Sequence, residues 1–161
     1  MTIGVYLRFE TTLFHAQEVQ NVDKNAVGKE MGPFAYLTWE RKIGQFIGAS
    51  GDRNPFYVDE DFAKKSEYGG VIAPLAMANA YISPMVWSIV DVCKIDRAKL
   101  LHGDQEYEFI KPVRASTLLL SYFKVVDVYE KKGLHFAAVE LTTRDEDGDI
   151  AVKGKMTLVE R

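Results

Sequence analysis

Few side chains in this 161-residue sequence are placed to do chemistry. His15, His102 and His135 are scattered, and none stands three or four residues from another ligand on one helix. A zinc site needs about four converging N, S or O ligands, so no metal site is expected. Cys93 is the single cysteine. It excludes an internal disulfide framework and fits a packing role, because a buried free thiol behaves as a small hydrophobe. No Gly-x-Ser-x-Gly elbow and no phosphate-cradling glycine loop occurs, so neither a hydrolase triad nor a nucleotide site has local support. No cofactor is implied. The informative stretch is Phe46 to Met77, FIGASGDRNPFYVDEDFAKKSEYGGVIAPLAM. Gly51-Asp52-Arg53-Asn54-Pro55 is a dense turn, since Gly, Asp and Asn tolerate unusual backbone angles and Pro55 removes a donor. Gly69-Gly70 breaks the chain again. Each turn alone is ordinary.

The elements that would carry this stretch change character along the chain. Residues 1–34 are weakly marked: Thr11 to Val19 fits a short strand or helix, and Gly28 with Gly32-Pro33 marks turns before an extended run from Phe34 to Thr38. Thr38 opens a helix whose Trp39, Ile43, Phe46 and Ile47 share one face and which ends near Gly48 to Gly51. Asp59 or Glu60 opens a short helix through Phe62 and Ala63. Pro74 suits the first turn of the next helix, where its missing N–H costs nothing. The run Leu75 to Tyr81 is apolar nearly all round, which predicts a helix wrapped by other structure. Pro84 is expected to end or kink it, with Met85 to Val92 as a second piece. From Leu100 onward, residues such as Tyr107, Phe109, Leu118, Leu120, Phe136 and Met156 recur with period two, about four strands long. Lys111-Pro112, Lys131-Lys132-Gly133 and Asp145-Glu146-Asp147-Gly148 separate them, and short connections make neighbouring strands antiparallel. The expectation is an α+β architecture, an antiparallel sheet against a long central helix.

Composition bounds the rest. A length of 161 residues points to one domain, and 47% apolar against 27% charged residues is a globular balance that can bury a core. Lys and Arg number 20 against 23 Asp and Glu, a net charge of -3, so a basic footprint for nucleic acid is missing. No apolar run approaches the ~18 residues needed to cross a bilayer. Met1 to Glu10 carries no apolar segment behind a basic flank, so no secretory signal is expected. A cytoplasmic protein with no membrane or nucleic-acid partner is the expectation.

Taken together, the two turns closely resemble the hydratase motif of the MaoC-like family of hotdog-fold proteins, which includes (R)-specific enoyl-CoA hydratases. The shared order is helix, Gly-Asp-x-Asn-Pro, an extended stretch ending in Asp, a Phe-Ala helix, an aromatic-Gly-Gly turn, and Ile-Ala-Pro opening the central helix. Val27-Gly28-Lys29-Glu30 with Gly32-Pro33-Phe34 resembles the opening strand of the N-terminal-type dehydratase domain of this family. His102 to Phe109, followed by Lys111-Pro112-Val113-Arg114, resembles its second strand. The likeness covers about residues 26–160, which implies one hotdog domain over 1–161.

In active members, an Asp and a His five positions on flank the α and β carbons of a thioester and handle the water and the α-proton. Asp52 matches the Asp. Tyr57 stands at the usual His position. A phenol of ordinary pKa ~10 is protonated at neutral pH, a donor but a poor general base. The family also binds the thioester oxygen at a backbone N–H at the start of the central helix, usually on a glycine; Leu75 occupies that position here. The resemblance thus gives Asp52 a catalytic role and puts Leu75, Asn54, Gly70 and Pro74 at the substrate. Some family dehydratases pair a half carrying Asp and His with a half that has lost them and shapes the acyl tunnel; Asn-Pro-Phe-Tyr57 is similar to the latter. Three readings stay open: a substrate-binding subunit lacking the catalytic His, a self-sufficient enoyl-CoA hydratase using Asp52, and an acyl-CoA thioesterase or binder. The last would need a polar group on the central helix, where Asn79 is the one candidate. The implied partners are an acyl-CoA or acyl-carrier-protein thioester and a second hotdog, as a homodimer or as a heterodimer with a catalytic MaoC-like subunit.

Overall fold

The structure, a computed structural model, describes residues 22–161. The stretch Thr11 to Val19 and His15 lie outside them. Five strands form one antiparallel sheet: β1 (Glu30–Leu37), β2 (Leu100–Phe109), β3 (Leu118–Lys131), β4 (Leu134–Arg144) and β5 (Ile150–Glu160), in the order β1-β3-β4-β5-β2. The hairpins joining β3 to β4 and β4 to β5 turn at Lys131-Lys132-Gly133 and Asp145 to Gly148, as the turn residues predict. β2 does not pair with β3, its successor in the chain; it lies along β5 at the opposite end of the sheet from β1.

The helices are α1 (Glu40–Ser50), the single turn α2 (Pro55–Val58), α3 (Glu60–Lys65) and α4 (Ala78–Cys93), the last preceded by a 3-10 turn over Leu75–Met77. Trp39, not Thr38, is the residue before α1, and it makes no side-chain cap. Thr38 is instead fully buried, its hydroxyl 2.8 Å from the Arg114 carbonyl, 2.9 Å from that of Thr117, and accepting the Thr117 N–H at 3.0 Å. It ties the end of β1 to the loop that follows β2.

α4 lies against one face of the sheet. Its Ala78, Tyr81, Ile82, Met85 and Ile89 are buried with Leu119, Phe123 and Val125 of β3, Val139 and Leu141 of β4, and Met156 and Leu158 of β5. Pro84 neither ends nor interrupts it: one helix runs from Ala78 to Cys93. Pro84 lies on the exposed side, while Tyr81, Ile82 and Met85 around it are anchored in the core, so packing holds the helix across the missing N–H donor. The sheet covers only one side of α4 and of the 3-10 turn before it: Leu75 remains 50% and Trp87 54% exposed. By length and a mean hydropathy of 1.2, Leu75–Cys93 is apolar enough to cross a membrane, contrary to the sequence expectation; here it is the helix packed on the sheet.

Candidate functional site

Local hydrogen bonds shape the loop between α1 and α4. α1 ends at Gly51, whose φ of 70° places it in the left-handed region, with its N–H on the Ile47 carbonyl at 2.9 Å. The exposed Asp52 follows, one carboxylate oxygen accepting the Asn54 N–H at 3.0 Å. Asn54 in turn caps α2 by accepting the Phe56 N–H at 3.1 Å, with Pro55 at the first helical position. Asp59 caps α3 through the Phe62 N–H at 2.9 Å. Phe56 then stands edge-on to Phe62 and Tyr68, at 5.1 and 5.2 Å between ring centres.

Residues 71–73 are pinned from two sides. The Ile72 N–H reaches the Phe56 carbonyl at 3.3 Å, the Ala73 N–H reaches that of Val113 at 2.8 Å, and the Ala115 N–H reaches that of Val71 at 3.1 Å. This bracing delivers the buried Pro74 and the half-exposed Leu75 to the start of the central helix, beside α2.

Tyr57, on α2, is half-buried and packs against the core. Its hydroxyl feels both ends of the expected site. Burial pushes its titration above the ordinary phenol value, and the negative charge of Asp52 pushes it the same way; the Leu75 backbone amide pulls it down, and Tyr68 adds a small upward push. Asp52 and the Leu75 amide thus both act on the Tyr57 hydroxyl. Asn54 and Pro74 belong to the frame, the first as a cap and the second as the last residue before the 3-10 turn. Gly70 lies in the turn before Pro74, and no atom stands within 4 Å of where its Cβ would be, so packing does not force a glycine there.

The other candidates lie elsewhere. His102 Nε2 is 3.1 Å from the Asp104 carbonyl on β2, and His135 is half-buried on β4. No group of three or more His, Cys, Asp or Glu residues is arranged to hold a metal among the described residues. Cys93 is fully buried, and burial pushes its thiol up to about 11, consistent with packing. One polar contact has no precursor in the sequence pattern. The Tyr107 hydroxyl of β2 donates to Asn79 Oδ1 at 2.7 Å, on the first turn of α4. The two positions are 28 residues apart and join only when β2 crosses to the far edge of the sheet.

The chain is similar to known proteins in sequence and in fold. A UPF0336 protein of Saccharopolyspora erythraea is 30% identical over 143 residues, covering 87% of this chain and 92% of that protein. The (R)-hydratase PhaJ1 of Pseudomonas aeruginosa superposes with a TM-score of 0.69 at 21% identity, over 83% of this chain and 81% of that one. The HadBC (3R)-hydroxyacyl-ACP dehydratase complex of Mycobacterium tuberculosis does so with a TM-score of 0.71 at 18% identity, over 83% and 96%. At such identities the structures establish the fold, a hotdog. The profile of the FAS1-like dehydratase domain region matches residues 25–153, and the chain belongs to that family of MaoC-like hotdog proteins.

Proposed function

We propose that this chain is the substrate-binding hotdog subunit of an (R)-specific 3-hydroxyacyl-thioester dehydratase, equivalently an enoyl-thioester hydratase, which takes its general base from a partner subunit. The observation that carries this reading is the state of Tyr57. A phenol standing where the family has an imidazole could serve as base only if its surroundings lowered its pKa, and burial together with Asp52 raises it. At neutral pH the group is a hydrogen-bond donor. The Leu75 amide and the positive end of the helix remain as a binding point for a thioester oxygen. Asp52 then orients water or substrate beside it, with Asn54 and Pro74 holding the loop and Gly70 leaving open space for substrate next to it. The HadBC complex, similar in fold, is named as a (3R)-hydroxyacyl-ACP dehydratase assembled from more than one chain, which supports a heterodimer with a His-bearing MaoC-like subunit over a homodimer. The substrate is an acyl-CoA or acyl-carrier-protein thioester, and the compartment is the cytoplasm.

One observation favours the self-sufficient alternative: Asp52 is exposed and accepts a hydrogen bond on only one of its oxygens. Turnover separates the two readings. The purified chain is expected to hydrate crotonyl-CoA weakly or not at all, and to gain activity when mixed with a hotdog subunit carrying Gly-Asp-x-Asn-Pro-x-His. Robust turnover by the chain alone, abolished by Asp52→Ala, would overturn the proposal and promote the alternative.

A further inference from the structure

The central helix keeps one face open. Leu75, Asn79, Ser83 and Trp87 follow each other at four-residue steps, and all four are exposed. At a rise of ~1.5 Å per residue this stripe runs about 18 Å, with Asn79 about 6 Å from its start at the Leu75 amide. β2 flanks it. Tyr107 alternates with the outward-facing Glu106 and Glu108, so its side chain points to the helix side of the sheet. Its ring lies over Gly154 of β5, where an added Cβ would come within 3.1 Å of the ring and 2.8 Å of the Glu106 carbonyl. The hydroxyl then spans from β2 to Asn79 at 2.7 Å. The Asn79 amide is held from its other side as well, its Nδ2 donating to the Ala76 carbonyl at 3.3 Å. Tyr107 and Asn79 thus form a polar bridge across the stripe, one helical turn from the Leu75 amide.

We propose that the Tyr107–Asn79 bridge is a specificity-determining stop that limits acyl chains entering along the helix to about five carbons beyond the thioester carbonyl. The stop rests on the acyl-thioester reading of the Leu75 site and adds to it which chains fit. A short chain ends before Asn79. A longer one must part the bridge and leave an amide and a hydroxyl facing hydrocarbon without partners, a loss that weakens binding by about tenfold or more. Burial pushes the Tyr107 hydroxyl up to about 12, so the donor persists at any physiological pH. Beyond the bridge, Ser83 and Trp87 extend the same face, with the Arg97 guanidinium 5.3 Å from the Trp87 ring centre and tied to Asp91 at 2.7 Å. Removing the bridge therefore opens the way to further helix surface.

The test is calorimetric titration of the full chain with S-butanoyl-, S-octanoyl- and S-dodecanoyl-pantetheine, the portion common to CoA and acyl-carrier-protein thioesters. Wild type is expected to bind the butanoyl ester at least about tenfold more tightly than the dodecanoyl ester. Asn79→Ala should erase that difference by tightening dodecanoyl binding. Tyr107→Phe, which keeps the ring on Gly154 but cannot donate, should move it in the same direction, so a folding defect in one variant leaves the other to decide. Wild type binding all three equally, or both variants keeping the wild-type order, would overturn the stop while leaving acyl binding intact. No binding of any ester would overturn the acyl-thioester reading itself and the stop with it.

Discussion

Tyr57→His is the substitution that tests the site most directly. With an ordinary pKa of ~10, only about one phenol in a thousand is ionised at pH 7. Burial and the Asp52 charge reduce that fraction further. An imidazole of ordinary pKa ~6.5 is about three-quarters in its basic form at the same pH. The substitution thus raises the population of usable base by roughly a thousandfold. A positioned general base contributes ~10²–10⁴-fold to rate. The half-exposed Leu75 side chain at the mouth of the helix argues for the lower end, so we expect hydration of crotonyl-CoA to rise about 10²-fold. The same Asp52 charge stabilises an imidazolium, so the base should titrate above its usual ~6.5 and the rate should climb through that pH region. The assay follows loss of the enoyl-thioester absorbance for wild type, Tyr57→His and the double variant with Asp52→Ala, which should lose the gain. A Tyr57→His protein that melts like wild type, still binds acyl-pantetheine and yet gains nothing at any pH would refute the placement of residue 57 beside the reacting carbons.

Two further expectations concern the frame that holds the site. Thr38→Val preserves shape but strips the buried hydroxyl that meets the Arg114 and Thr117 backbone, at about 1–3 kcal/mol; for a domain of this size the melting temperature should fall by ~2–12 °C, and an unchanged value would refute the knot. Asp145, buried at the β4–β5 turn, is pulled up by burial but held below its usual range by the Lys111 ammonium and the backbone amides of Asp149 and Asp147. Its folded pKa is depressed, so its contribution is present above the unfolded value of ~3.9 and is lost as pH falls through the folded one. Lys111→Met should therefore melt below wild type at pH 7, with the gap closing under acid; a gap independent of pH would contradict the pairing.

What the sequence made legible were features encoded within a few residues. Asp59 capping Phe62 is a contact of three residues, so its pattern is visible in one dimension, and the short helix through Phe62 and Ala63 follows. The stretch after Pro55, expected to be extended, is instead the single helical turn α2 that Asn54 caps through Phe56. Alternation in the C-terminal strands was equally plain, but not which phase faces inward. On β3 the buried side is Leu119, Ser121, Phe123 and Val125, while Leu118, Leu120 and Tyr122 point the other way. Ser121 is fully buried because its hydroxyl pairs with Thr143 of β4 at 2.8 Å. A serine inside and leucines outside defeat a reading by polarity, because the compensating partner is 22 residues away. Pro84 failed as a stop for a related reason: local propensity yields where the flanking turns are anchored in a core.

The site divides along the same line. That residue 57 is a tyrosine and not a histidine is written in the chain, and it implies a missing base. Whether the phenol could be converted into one depends on its surroundings, and those are assembled from α1's end, α2 and the start of the central helix. Either of two arrangements would have been compatible with the motif: a cation beside the hydroxyl, drawing its pKa toward neutrality, or a carboxylate in a partly buried setting, driving it away. The fold brings Asp52, the residue with which a catalytic histidine would have cooperated, to act against Tyr57 ionising. The same carboxylate raises the pKa of either group, but from ~6.5 an imidazole moves towards neutrality and its basic form stays populated, whereas from ~10 a phenol moves further away and less of its anion is present. On the proposed reading Asp52 and Tyr57 are therefore coupled: with Asp52 in place, less of the residue 57 phenol is in its basic form at neutral pH than of a free phenol.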